Sequence, residues 1–346
     1  MFTIGEREIG PARPVYVVAE MSANHNQDFE QAVRILHAAS ESGADAIKLQ
    51  TYTPDTLTID CDREFFRIGG TIWEGRTLYG LYAEAYTPWD WQPKLKTVAN
   101  DLGLDFFSTP FDATAVDFLE TVGVPAYKVA SFEIVDLPLI RRIARTGKPM
   151  ILSTGMATLA EIDEAVRTAR GAGATQIALL KCTSAYPAPP EEMNLRTIPH
   201  LAEAFGVPVG VSDHTLGIAV PVAAVAVGAC IVEKHFTLSR RLHGPDSAFS
   251  LEPDDFKAMV VAIREAEKAL GGVRYQATEN ESGSRAFRRS LFVVQDVRAG
   301  EPFTDQNVRS IRPGFGLHTR YLPEVLGRRA RRDIERGTPL AWDLIA

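Results

Sequence analysis

Two histidines, His214 and His235, stand just beyond the apolar runs Val207–Val211 and Ile231–Lys234. Imidazoles on neighbouring strand ends can share a divalent cation. Two of them leave the rest of its shell to water or substrate, as in a catalytic site rather than a closed structural one. Either histidine alone reads equally as a structural residue, so the pairing is what points to metal. Four lysines hold comparable positions: Lys48, Lys128, Lys181 and Lys234. Ser108-Thr109, Ser131, Ser153-Thr154, Thr183 and Ser212-Asp213 accompany them. Ammoniums and hydroxyls gathered in one cup suit a phosphate or a carboxylate. Glu20, Gln50, Glu133 and Glu233 complete the set. The alternative is that some lysines form buried ion pairs with the glutamates. Lys234, which points to the opposite strand face from Glu233, fits that alternative equally well.

To bring these groups to one rim, the chain needs strands whose ends face the same way. Eight compact apolar runs supply them: Val15–Ala19, Ala46–Gln50, Asp105–Ser108, Ala126–Val129, Met150–Ser153, Ile177–Lys181, Val207–Val211 and Ile231–Lys234. Each is bounded by Gly, Pro or polar residues, as in strands buried on both faces. Helical patterns alternate with them at Phe29–Ser40, Trp89–Leu102, Ala113–Thr121, Leu137–Arg145, Leu159–Arg170, Asn194–Phe205, Ile218–Val227 and Pro253–Leu270. Gly43 is placed to close the first helix. Eight such units predict an α/β TIM (β/α)8 barrel, whose chemistry sits at the C-terminal strand ends. A doubly wound sheet is the competitor, but EMSANHN after the first strand is no Gly-rich dinucleotide loop. The connection Thr53–Pro88 is too long for an ordinary strand–helix loop and is rich in aromatics. It reads as a lid or substrate wall over the mouth, or as a helical insert that packs there.

The 346 residues fit one large domain with a small one. The barrel pattern occupies residues 1–272, a polar linker 273–284, and a region of short β runs and turns 285–346. The net charge of −7 is unevenly spread: after Gly271 there are 13 Arg, no Lys and 9 acids. An acidic body is a poor nucleic-acid binder, and the Arg-only tail marks a second unit with a different job. Three cysteines without C-x-x-C spacing argue against a disulfide framework and fit the reducing cytoplasm. The N-terminus lacks the features of a secretory signal, and the apolar stretch near Ile218–Val232 is too short to span a bilayer.

The blocks AEMSANHNQDFEQA, GADAIKLQTYTPDTLT, FFSTPFD, YKVASFEIVDLPLI, ILSTGMAT, LLKCTSAYP, GVSDHTLG, VEKHFTL and GPDSAFSLEPDDF occur in order along the chain. Together they resemble the sialic acid synthase family, which condenses phosphoenolpyruvate with an N-acetylated amino sugar. The tail RSLFVVQDVRAGEPFTDQNVRSIRPGFGL resembles that family's antifreeze-like (SAF) domain. AEMSANHN, QTYTPDTLT, the lid segment GGTIWEGRTLYGLYAEAYTPWDW and PDSAFS look most like the branch whose sugar is 2,4-diacetamido-2,4,6-trideoxy-L-altrose. N-acetylneuraminate and legionaminate synthases are the alternatives within the family.

The resemblance implies that the enol carbon attacks the open-chain aldehyde, water adds at C2, and phosphate leaves by C–O cleavage. It implies that Lys48, Thr109, Lys128, Ser131, Ser153, Ser184 and Ser212 hold phosphoenolpyruvate. It implies a Mn2+ or Mg2+ ion on His214 and His235, with Glu20 and Glu133 stabilising the cation or handling the water proton. Tyr186, Asp246 and Ser247 would meet the sugar. Arg312 would reach from the tail into the partner's site, making a domain-swapped homodimer; without the resemblance it reads as a surface turn arginine. Two further readings compete. One is a Schiff-base pyruvate lyase using Lys128 or Lys181. The other is a carbohydrate-binding protein, which would leave the polar strand ends without a job.

Overall fold

A computed structural model describes residues 2–346, which divide after Gly271 into two compact units. In the first, eight parallel strands close into a barrel in sequence order, the eighth pairing with the first. They are β1 (Tyr16–Glu20), β2 (Ala46–Thr51), β3 (Asp105–Pro110), β4 (Tyr127–Val129), β5 (Met150–Ser153), β6 (Ile177–Cys182), β7 (Val209–Asp213) and β8 (Ile231–His235). The expected barrel is therefore present. β7 begins two residues later than its apolar run, because Pro208 has no N–H to give a ladder. The surrounding helices are α1 (Phe29–Glu41), α2 (Gln92–Asp101), α3 (Ala113–Val122), α4 (Leu137–Ala144), α5 (Leu159–Gly171), α6 (Thr197–Phe205), α7 (Ala219–Ala226) and α8 (Pro253–Leu270).

Local chemistry sets these boundaries. Asp28 caps α1 by accepting from the Gln31 N–H, and Thr158 with Glu161 forms a capping box on α5. Gly43, just past α1, has φ +86°, a conformation costly for any residue with a Cβ. Alternation then sorts the strand side chains into two layers. Val18, Ala46, Phe107, Ala126, Ile151, Ala178, Leu180 and Ile231 fill the barrel. Val17, Ile47, Phe106, Val129, Leu152, Leu179, Val211 and Val232 pack outward on the helices. A hairpin of Phe2–Ile4 and Arg7–Ile9, absent from the sequence expectations, adds Phe2, Ile4 and Ile9 to the interior layer. The N-terminal end of the barrel is thus packed with side chains, and its open end is the opposite one.

The long β2–α2 connection is structured. It contains short helices at Pro54–Leu57 and Leu78–Ala85, and an Arg67–Thr77 bridge. The second unit is built on antiparallel strands Ser290–Val293 and Val308–Ile311. Leu291, Val293, Val297, Phe303, Val308, Val325, Ile334 and Leu340 form its own core.

Candidate active site

Register decides which side chains meet. Glu20 lies opposite both Lys48 and His235, Gln50 opposite Thr109, and Glu233 opposite Ser212. Since alternate residues face inward, these groups share the mouth of the barrel. Lys48 Nζ stands 2.8 Å from Glu20 Oε2, 3.6 Å from Glu233 Oε1 and 3.3 Å from Thr109 Oγ1. Ser212 donates to Glu233 Oε1 at 3.1 Å, and Gln50 Nε2 donates to Glu20 Oε1 at 3.0 Å. Burial opposes charge on Lys48, but Glu20 and Glu233 outweigh it and hold the ammonium above its ordinary pKa. Between the two glutamates, burial raises Glu20, while Glu233 is held low, against burial, by Lys48 and Lys128.

Lys128 Nζ donates to Ser153 Oγ at 2.6 Å and to the Val129 carbonyl at 2.9 Å. With no carboxylate in contact, burial lowers its pKa. Ser131 and Ser184 converge on Gly155, whose N–H donates to Ser131 Oγ at 3.2 Å. A methyl group on Gly155 would overlap both hydroxyls, so the cradle requires glycine there. Glu133 is pushed up to about 7, chiefly by burial, and its Oε2 finds no hydrogen-bond partner among the described residues.

His214 and His235 lie side by side with ring centroids 5.3 Å apart. His214 Nδ1 is 2.9 Å from the Thr183 carbonyl. Burial opposes a proton on His214, but Cys182 and that carbonyl raise its pKa overall. Burial lowers His235 well below its usual range, with His214 and Lys48 adding to the effect, so it is neutral. His235 Nδ1 is buried without a hydrogen-bond partner among the described residues, 4.0 Å from Asp246 Oδ2. Asp246 is itself tied to the Ser22 hydroxyl and the Ala23 N–H. Tyr186 stacks at a tilt on His214, 4.3 Å between centroids, and Phe249 lies 4.9 Å from His235.

Several expectations change. Lys234 faces outward and forms a fully buried pair with Asp213, while Lys181 turns to the Cys182 carbonyl and Thr183 Oγ1. Neither belongs to the cup, because both occupy outward positions on their strands. Ser108 likewise faces out and bonds Thr51. The Ser247 hydroxyl is engaged by the Gly244 N–H and Asn24 Oδ1, so it shapes the loop carrying Asp246. Arg312 is exposed in the second unit. Cys182, not anticipated as a site residue, occupies the inward position beside Lys181. Its thiol lies 3.8 Å from His214 Nδ1 and is lowered to about 7: burial opposes this, but His214 outweighs it. Counting alternate positions along β6 would have found it.

The NeuB family pattern matches residues 35–275, and the SAF domain pattern matches residues 288–346. The chain belongs to the NeuB family. Among its relatives, a Helicobacter pylori protein named pseudaminic acid synthase is 46% identical over 96% of this chain and 98% of that protein. A Legionella pneumophila N,N'-diacetyllegionaminic acid synthase is 36% identical over 99% of this chain and 97% of that protein. The crystal structure of an N-acetylneuraminic acid synthetase from Leptospira borgpetersenii superposes with a TM-score of 0.73 at 31% identity, covering 82% of this chain and 94% of that one.

The donors fit a divalent cation in a restricted sense. No group of three His, Cys, Asp or Glu among the described residues is placed to hold a metal. His214 and His235 offer two adjacent imidazoles, with His235 neutral and its Nδ1 without a hydrogen-bond partner among the described residues. Substrate or solvent oxygens would complete such a shell.

Proposed function

We propose that this NeuB-family chain condenses phosphoenolpyruvate with 2,4-diacetamido-2,4,6-trideoxy-L-altrose, the pseudaminic acid synthase reaction. The single observation that carries the choice of sugar is the near-full-length likeness to named pseudaminic acid synthases at 46% and 45% identity, against 36% for the legionaminic relative. The geometry supports the reaction class. Lys48 and Lys128, with Thr109, Ser131, Ser153, Ser184 and Ser212, offer the charge and donors that a phosphate and a carboxylate need. Held there, phosphoenolpyruvate presents its enol carbon to an aldehyde lying against the imidazole pair, with Tyr186 and Asp246 alongside the sugar. The new C–C bond leaves a positive centre at C2, which the buried carboxylate of Glu20 stabilises. Glu133 accepts one proton of the water that adds to C2 and returns it to the alkoxide formed from the aldehyde. The C2 hydroxyl then gives its proton to phosphate, which departs with its bridging oxygen and leaves the ketone. Mn2+ or Mg2+ on His214 and His235 would supply Lewis-acid polarisation of the aldehyde. Arg312 would serve the site of a partner subunit in a homodimer.

Phosphate release tests this reading across the altrose, its 2,4-diacetamido-2,4,6-trideoxymannose isomer and N-acetylmannosamine. The altrose is expected to give the highest kcat/KM, with activity lost to EDTA and restored by manganese. A higher value for either other sugar overturns the choice of substrate. Burial lowers the pKa of both Lys128 and Lys181, which favours the lyase reading, and trapping of the protein by borohydride with pyruvate would support it.

A further inference from the structure

Trp73 sits at the middle of the β2–α2 lid, and two contacts fix its indole. Its Nε1 donates to the Pro245 carbonyl at 3.0 Å, and its ring leans on Tyr186 at 5.7 Å between centroids. Tyr186 in turn packs on His214, so Trp73 lies one ring further out from the imidazoles than Tyr186 does. Pro245 directly precedes Asp246, which approaches His235. The lid is thereby stapled to the loop that carries a site carboxylate, and its indole forms the outer part of an aromatic wall with Tyr186 and Phe249. Indole has a single polar hydrogen, and here the Pro245 carbonyl takes it. The indole face itself therefore presents carbon alone, while the only hydroxyl of the three rings belongs to Tyr186.

We propose that Trp73 is a specificity-determining residue that recognises the C6 methyl of a 6-deoxy sugar and disfavours a C6 hydroxyl. This rests on the proposed condensation, in which the sugar's aldehyde end lies at the imidazoles. A six-carbon open chain anchored there extends its other end outward along Tyr186 towards the indole. A methyl group on that end loses only water by packing on the ring. A hydroxyl packed on the ring loses hydrogen bonds to water there, and the indole face offers none in their place. Apolar surfaces reject an added hydroxyl by up to roughly a hundredfold, which sets the expected scale.

The test compares kcat/KM for 2,4-diacetamido-2,4,6-trideoxy-L-altrose with that for its 6-hydroxy counterpart. Wild-type protein is expected to favour the methyl sugar by roughly ten- to a hundredfold. Trp73→Ala should bring the ratio to within a few-fold, Trp73→Phe should retain most of it, and Trp73→Gln should raise turnover of the hydroxy sugar in absolute terms. Equal losses on both sugars in Trp73→Ala, with the ratio unchanged, would overturn the assignment. So would a ratio that Trp73→Gln leaves intact. Failure of the wild type to use either altrose is a separate result: it removes the proposed reaction, and this assignment with it.

Discussion

Glu133 is the residue whose environment departs most usefully from that of a free carboxylate. Burial holds its pKa near 7, so the group exchanges a proton with little driving force in either direction around neutrality. In the proposed role of base for the adding water it must be ionised, so kcat/KM should climb as pH rises through about 7. Glu133→Gln should lower activity and flatten that climb; a climb unchanged in the variant would assign it to another group. Stability moves the other way. The folded state holds the proton up to about 7, whereas the unfolded chain releases it near 4.5. Stability gained from the proton is therefore present at low pH and lost as pH rises from 4.5 to 7, a contribution of about 3 kcal/mol. Denaturant titrations should show Glu133→Gln becoming more stable relative to wild type between pH 4.5 and 8, with no such trend if the carboxyl is unperturbed.

At the scale of elements, the ends of β7 and β8 show how the site is held. His214 and His235 each follow one member of the buried Asp213–Lys234 pair. Thr215 adds its N–H to Asp213 at 2.9 Å and its carbonyl accepts from Lys234. A buried ion pair contributes little net stability against apolar groups of similar volume, yet removing one partner strands a charge. Lys234→Met should cost about 3–5 kcal/mol, and Asp213→Leu with Lys234→Met should recover most of it. Urea unfolding of the single and double variants decides this, and a double variant as unstable as the single would contradict it. The same strands show what was legible beforehand. Long apolar runs bounded by Gly and Pro are unmistakable, so all eight strands and the rim they build could be read from the sequence. Lys181 reads as a member of the cup only while a strand end is taken as a position and not as a face. For Lys234 the opposite face is legible, and the ion pair it forms is one of the two readings it supports. The three-residue strands of the N-terminal hairpin are too short to show a period. Gly155 carries no chemistry of its own and becomes meaningful only once Ser131 and Ser184 close on it.

The whole molecule divides into an acidic barrel and an arginine-rich SAF unit, and the proposal for Arg312 belongs to this scale. If the arginine serves the partner's site, two inactive variants can repair each other. Co-expressed Arg312→Ala and His235→Ala chains should regain activity that neither has alone, because mixed dimers contain one site with both residues intact. No recovery in verified mixed dimers would return Arg312 to its own subunit or to the surface. The closed ring of strands has a use beyond this enzyme. Inward and outward positions alternate around all eight strands, and they answer to different demands. Glu20, Gln50, Thr109, Ser153, Cys182, Ser212 and Glu233 face the mouth of the barrel, while neighbours such as Ala19, Leu49, Leu152, Val211 and Val232 pack in the outer layer. A combinatorial library confined to the first set would explore new substrates while leaving the barrel's hydrophobic seams untouched. The two-residue period of a β-strand thus separates what can be redesigned from what must be inherited.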